Sequence, residues 1–119
     1  MLSLPSLADF DRGSVVRIWL ATQPADMRCG FDRLAQLAGS VTGQDPLSGH
    51  LFLFRSRGGD RLKALLWEKD GYIIWYKRLE QGTFSGCFAG YNELSRQQFT
   101  MLLEGIVPRR MNKRFSLSQ

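Results

Sequence analysis

Apolar and polar positions along the chain follow two periods. From Ser14 to Ala21, Val16, Ile18 and Leu20 share one face while Val15, Arg17 and Trp19 share the other, the two-residue repeat of a strand. Pro24 breaks that pattern by fixing φ and pushing Gln23 toward extended geometry. From Phe31 the period lengthens: Phe31, Leu34, Leu37 or Ala38, and Val41 recur at three- and four-residue steps and predict a helix. It begins at Phe31 or as early as Ala25 or Asp26, and Gly43 is a good stop. Three runs of aromatic and branched residues follow, Leu51–Arg55, Arg61–Trp67 and Tyr72–Arg78. Short turns at Ser56–Asp60 and Glu68–Gly71 separate them, and Asp70-Gly71 is a strong hairpin signal. Phe99, Leu102, Leu103 and Ile106 form a second helical stripe, with Ser95 as N-cap, Gln98 placed for a capping box and Pro108 barring continuation.

These elements predict an α+β fold: an antiparallel sheet of about four strands, in the order β-α-β-β-β-α, with two helices packed on it. Both faces of the third and fourth strands carry large side chains, so helices are expected to cover much of one face and leave an amphipathic aromatic surface on the other. Residues 14–108 make one domain, preceded by a loosely ordered arm over 1–13 and followed by a basic, flexible tail over 109–119. Ser85–Asn92, rich in small residues, reads as a loop.

At 119 residues the chain can bury one core but not two. Its apolar runs are far too short to span a bilayer and Met1–Phe10 lacks the pattern of a leader, which points to a cytoplasmic protein without a membrane partner. Cys29 and Cys87 lie far apart with one histidine in the whole chain, too few ligands for a usual zinc site, and both thiols are expected to pack as small hydrophobes. No metal or cofactor is implied.

Charge is distributed unevenly along the chain. Residues 1–54 carry four arginines against five aspartates, a balance of −1, whereas residues 55–119 carry twelve cations against six acids, a balance of +6. A cation excess gathered in one half suggests an anionic partner such as nucleic acid. Arg55, Arg57, Arg61 and Lys63 crowd the first hairpin, Lys77 and Arg78 end the neighbouring strand, and Arg109, Arg110, Lys113 and Arg114 stand on the tail. A two-stranded ribbon can enter a major groove or track a backbone, so these ten residues are the candidate DNA contacts. The competing explanation is that exposed hairpins carry Arg and Lys to keep edges soluble. Trp67, Trp75, Tyr72 and Tyr76 could stack on bases, although core or protein-interface roles suit them better.

Catalysis has a poor inventory. Glu68 and Asp70 are close in sequence but flank a turn, where acids are commonplace. His50 has no base–nucleophile relay in sequence and suits capping or packing at a strand entrance. Gly58-Gly59-Asp60 lacks the ending of a phosphate loop. Catalytic residues: none.

The string from Gly49 to Phe84, G-H-L-F-L-F-R-S-R-G-G-D-R-L-K-A-L-L-W-E-K-D-G-Y-I-I-W-Y-K-R-L-E-Q-G-T-F, resembles the signature of a bacterial transposon accessory family. That family is the Orf2-like, or TnpB, protein of the insertion-sequence family numbered sixty-six. P-A-D-M-R-C-G-F-D-R-L-A, Pro24 to Ala35, is similar to its P-x-D-M-R-x-x-F-D-x-L-A run, and L-L-E-G-I, Leu102–Ile106, to its C-terminal helix. The resemblance covers Val15 to Ile106, with the basic tail outside it, and Ser85–Tyr91 departs from the pattern. It implies a small, non-catalytic protein encoded beside a larger transposase and needed for efficient movement of the element. It supplies no contact residues to carry over; Asp26 and Arg28 are read from this chain as a structural clasp at the helix start.

The expected function is therefore accessory work in DNA transposition, through contact with transposon DNA, with the transposase or other proteins of the same element, or with both. The rivals are an adaptor for the transposase without DNA affinity of its own and a metal-dependent nuclease working through Glu68 or Asp70.

Overall fold

The computed structural model describes residues 16–84 and 92–104, so the expected arm, the small-residue loop over 85–91, Ile106, Pro108 and the basic tail lie outside the described residues. Strand β1 is Ile18–Leu20, helix α1 Phe31–Leu37, β2 Leu51–Arg55, β3 Arg61–Glu68, β4 Gly71–Arg78, β5 Glu93–Leu94 and helix α2 Arg96–Leu103. The five strands form one sheet in the order β4-β3-β2-β1-β5.

That sheet corrects the expected architecture in three ways. It is mixed, not antiparallel, because β1 and β2 run parallel with Ile18 opposite Leu51 and Leu20 opposite Leu53. A parallel neighbour needs a crossover connection, and α1 supplies it. It has a fifth strand, β5, which pairs antiparallel with β1. Two residues are too few to show a two-residue period, so Glu93–Leu94 gives no strand signal of its own. The third correction concerns the faces. Alternate residues of β1, β2 and β3 go to opposite sides, and each side has its own helix. Ile18, Leu20, Leu51, Leu53, Leu62 and Ala64 pack with Phe99 and Leu102 of α2. Trp19, Phe52, Phe54 and Leu65 pack with Leu34 of α1 and Ala38. The large side chains on both faces thus belong to two half-cores on one sheet. Each fully buried Phe or Leu contributes about 1.5–3 kcal/mol against the opposing chain entropy.

Both helices are shorter than an isolated helix needs in water, so packing holds them. In α1, Leu34 is buried and Phe31, the first member of the predicted stripe, is exposed. The helix starts at the later of the predicted places, after Gly30, and Ala38–Thr42 continue it as one π-helical turn that stops at Gly43, whose φ is +74°. Helix α2 opens as its sequence predicts. The Ser95 N–H donates to Gln98 Oε1 at 2.8 Å and the Gln98 N–H donates to Ser95 Oγ at 3.1 Å, so two of the helix's early donors are satisfied reciprocally.

His50 caps a strand: the Arg17 N–H donates to its Nδ1 at 3.0 Å, tying the start of β1 to the entrance of β2. The β3–β4 turn differs from the glycine-led hairpin expected. Gly71 is the first residue of β4, and it is Lys69 that takes a positive φ, +53°.

Candidate nucleic-acid interface

The turn between β2 and β3 is held by its own backbone and by the Ser56 hydroxyl. The Ser56 N–H donates to the Arg61 carbonyl at 2.9 Å, the Gly59 N–H to the Ser56 carbonyl at 3.0 Å, and the Arg61 N–H to Ser56 Oγ at 3.1 Å. The segment after β4 then folds back on this turn. The Leu79 N–H donates to the Asp60 carbonyl at 2.8 Å and the Phe84 N–H to the Gly59 carbonyl at 2.7 Å. Gly59 has φ +79°, and a Cβ there would come within 3.3 Å of Thr83 Cβ, so the close approach of Thr83 needs glycine on both counts. Phe84 is fully buried beneath the same turn's end of the sheet.

This bracing presents part of the predicted cation set at one end of the sheet. Arg57 is exposed at the turn and shares a shallow groove with Pro24, Ala25 and Asp26. Arg61 and Arg78 stand directly opposite each other across β3 and β4, and both are exposed. Two like charges so placed repel, an arrangement that favours an anion between or above them. Glu80 offsets one of them: Arg78 Nη2 lies 3.0 Å from Glu80 Oε2, and Arg78 Nε donates to the same oxygen at 3.1 Å. Lys77, one residue back on β4, is exposed on the other face, in register with Leu62.

Two of the predicted contacts stand differently. Lys63 is buried, at 8% exposure; its Nζ donates to the Cys29 carbonyl at 2.7 Å and lies 4.8 Å from the centroid of the Tyr76 ring. It anchors the loop before α1 to the sheet and is withdrawn from the DNA-contact set. Arg55 is half-buried at the end of β2, where its carbonyl accepts from the Ala25 N–H at 2.9 Å and its side chain lines a small cleft with Ala21 to Pro24. Arg109, Arg110, Lys113 and Arg114 lie outside the described residues.

Asp26 and Arg28 form a clasp. Arg28 Nη2 donates to Asp26 Oδ2 at 2.7 Å, Arg28 Nε donates to both carboxylate oxygens, and the Arg28 N–H donates to Oδ1 at 2.9 Å. Those hydrogen bonds hold the Asp26 carboxyl down to about 2. The same pairing raises Arg28 above its ordinary range. Asp26 therefore stays an anion beside Arg57 and neutralises Arg28, although the Arg28 side chain is 91% exposed. Sequence could flag neither the burial of Lys63 nor its acceptor, since Cys29 is 34 residues away and offers a backbone oxygen.

Glu68 and Asp70 flank the β3–β4 turn and are exposed. Among the described residues, no three His, Cys, Asp or Glu side chains gather in a way that could hold a metal ion. No helix among them is long and apolar enough to cross a membrane.

Comparison with known proteins decides the family. The family model described as IS66 Orf2 like protein matches residues 16–113. The chain belongs to that family. The match runs past Ile106 and takes in the first part of the basic segment, which the sequence resemblance had left outside. The chain is also 41% identical over 96 residues to uncharacterized protein y4hO of Sinorhizobium fredii, covering 79% of this chain and 84% of the relative. A second relative from the same organism, uncharacterized protein y4jC, is 38% identical over 93 residues, covering 76% and 80%. No solved structure matches this chain significantly. Membership of the IS66 Orf2 like family ties the chain to an insertion sequence and to an accessory part in its transposition.

Proposed function

We propose that this protein is a non-catalytic accessory factor of transposition that holds DNA of its element at the β2–β3 turn end of the sheet. The observation that carries this is the placement of Arg57, Arg61 and Arg78 at one braced end, with Arg61 facing Arg78 across the strands. Lys77 and the cations of the 109–114 segment would add phosphate contacts without base readout. Binding of this kind works by counterion release, so it is steep in salt and largely blind to sequence. The family supports the transposition context, and the +6 half of the chain supports an anionic partner.

Anisotropy titration of the full chain with an element-end duplex and a scrambled duplex, at several salt concentrations, tests this. Each phosphate contact steepens the logarithmic salt slope by about 0.9. Replacing Arg57, Arg61 and Arg78 together by Glu should flatten the slope by about 2–3. A slope that stays the same excludes this end of the sheet. Absence of binding near physiological salt moves the accessory role to contact with the transposase.

A further inference from the structure

The two edges of the sheet are treated differently. At one edge β5 is two residues long, which blunts it. At the other, β4 runs for eight residues, Gly71–Arg78, without proline, and no described strand pairs with its outer side. Which of its groups face outward follows from the ladder. The Leu79 N–H donates to the Asp60 carbonyl, and Leu79 and Asp60 continue the register in which Arg78 faces Arg61. In an antiparallel pair, hydrogen-bonded positions alternate. The odd-numbered residues of β4 therefore bond to β3, and Tyr72, Ile74 and Tyr76 turn N–H and C=O groups outward. The flanking side chains are apolar and accessible: Ile73 is 36% exposed and Tyr76 49%.

Charge along this edge selects the occupant. The turn that starts β4 holds Glu68, Lys69 and Asp70, a balance of −1, and the strand ends in Lys77 and Arg78, a balance of +2, with Glu80 paired to Arg78 just beyond it. A strand with an acidic start and a basic end is complementary to itself when antiparallel and repulsive to itself when parallel. We propose that β4 pairs antiparallel with β4 of a second copy of this chain, making one continuous ten-stranded sheet about a two-fold axis at Ile74. A two-fold axis normal to the sheet keeps each face on its own side, so only residues of like face can stand opposite. With Ile74 opposite itself, Tyr72 meets Tyr76 of the second copy, Ile73 meets Trp75, and Arg78 meets Asp70. The outward groups of Tyr72, Ile74 and Tyr76 then all bond across the axis. Main-chain hydrogen bonds of this kind are the usual currency of strand addition.

Sedimentation equilibrium of the full chain, with residue-resolved amide exchange, tests the pairing. The expected species is twice 13.6 kDa. Exchange of the Tyr72, Ile74 and Tyr76 amides should slow as concentration rises, while the odd-numbered amides of β4 are slow throughout. Tyr76→Pro removes an outward N–H and spares the β3–β4 ladder, so it should give a folded monomer. A charge swap guards against a variant that simply fails to fold. Asp70→Arg and Arg78→Asp should each weaken the dimer by up to roughly tenfold, and the two together should restore it. Within one chain these positions are about 26 Å apart, at about 3.3 Å per strand residue, so rescue can come only from a second copy. A 13.6 kDa species at every concentration overturns the proposal. So does a dimer in which the outward amides stay fast, or slow exchange in a monomer, which would mean another segment covers the edge.

Discussion

The ammonium of Lys63 donates to the carbonyl of Cys29 at 2.7 Å, across 34 residues of chain, beneath the ring of Tyr76. This contact joins the loop ahead of α1 to the middle of the sheet and takes a cation out of the basic hairpin. Lys63→Met keeps most of the apolar stem and loses the charged donor. A loss of about 1–3 kcal/mol in urea unfolding is expected, because a hydrogen bond to a charged group disappears and the Cys29 oxygen loses this donor. The same variant should leave the salt slope of DNA binding unchanged, which separates it from the arginine changes.

Gly59 makes a sharper test of how the basic turn is held. Its φ of +79° and the Thr83 side chain 3.3 Å from any added Cβ oppose substitution together. Gly59→Ala should lose about 1–3 kcal/mol by denaturant titration. If the turn end positions Arg57 and Arg61, DNA affinity should fall in the same variant under conditions where it stays folded.

Lys69 predicts a gain. It is the single described non-glycine residue with a positive φ, at +53°, in the turn between β3 and β4. Glycine adopts that conformation without a Cβ clash, at some cost in unfolded-chain entropy. Lys69→Gly should raise stability by about 0.5–1 kcal/mol, read as a higher urea midpoint at unchanged m-value.

The Asp26–Arg28 clasp predicts a pH dependence with a definite sign. The Asp26 carboxyl is held at about 2, below its ordinary 3.8, by the Arg28 hydrogen bonds. A lowered folded-state value means the contribution is complete above 3.8 and is lost as pH falls through about 2. Carboxyl-carbon chemical shifts followed by NMR should place the Asp26 midpoint near the lower figure. Arg28→Ala should return it to the usual carboxylate range.

Local chemistry in the sequence made the meander, the start of α2 and the stop of the first helical segment legible. Leu51–Arg55 is the strand its pattern predicts, and Arg61–Glu68 and Gly71–Arg78 each exceed their patterns by one residue. Ser95 and Gln98 form the capping box that their spacing implies, and Gly43 ends the first helical segment in the left-handed conformation. The clasp of Asp26 and Arg28 is likewise local, two residues apart. Periodicity, caps and short ion pairs depend on near neighbours, so the sequence displays them directly.

Features that depend on partners distant in the chain are not legible in this way. Parallel pairing of β1 with β2 depends on how α1 crosses the sheet, and β5 exists only because β1 offers it an edge. The burial of Lys63 is the clearest case: its neighbours in sequence read as a basic hairpin, and only the Cys29 carbonyl brought over by the α1 loop makes it an anchor. The same holds for the edge position of β4 among the described strands. The strand and its charged ends are legible in the chain, through alternation that acts over a few residues, whereas its turn closes on Lys69 and not on the glycine. Its place at the rim of the sheet, with outward N–H and C=O groups, follows from the strand order, and that order is set by long-range burial on two faces.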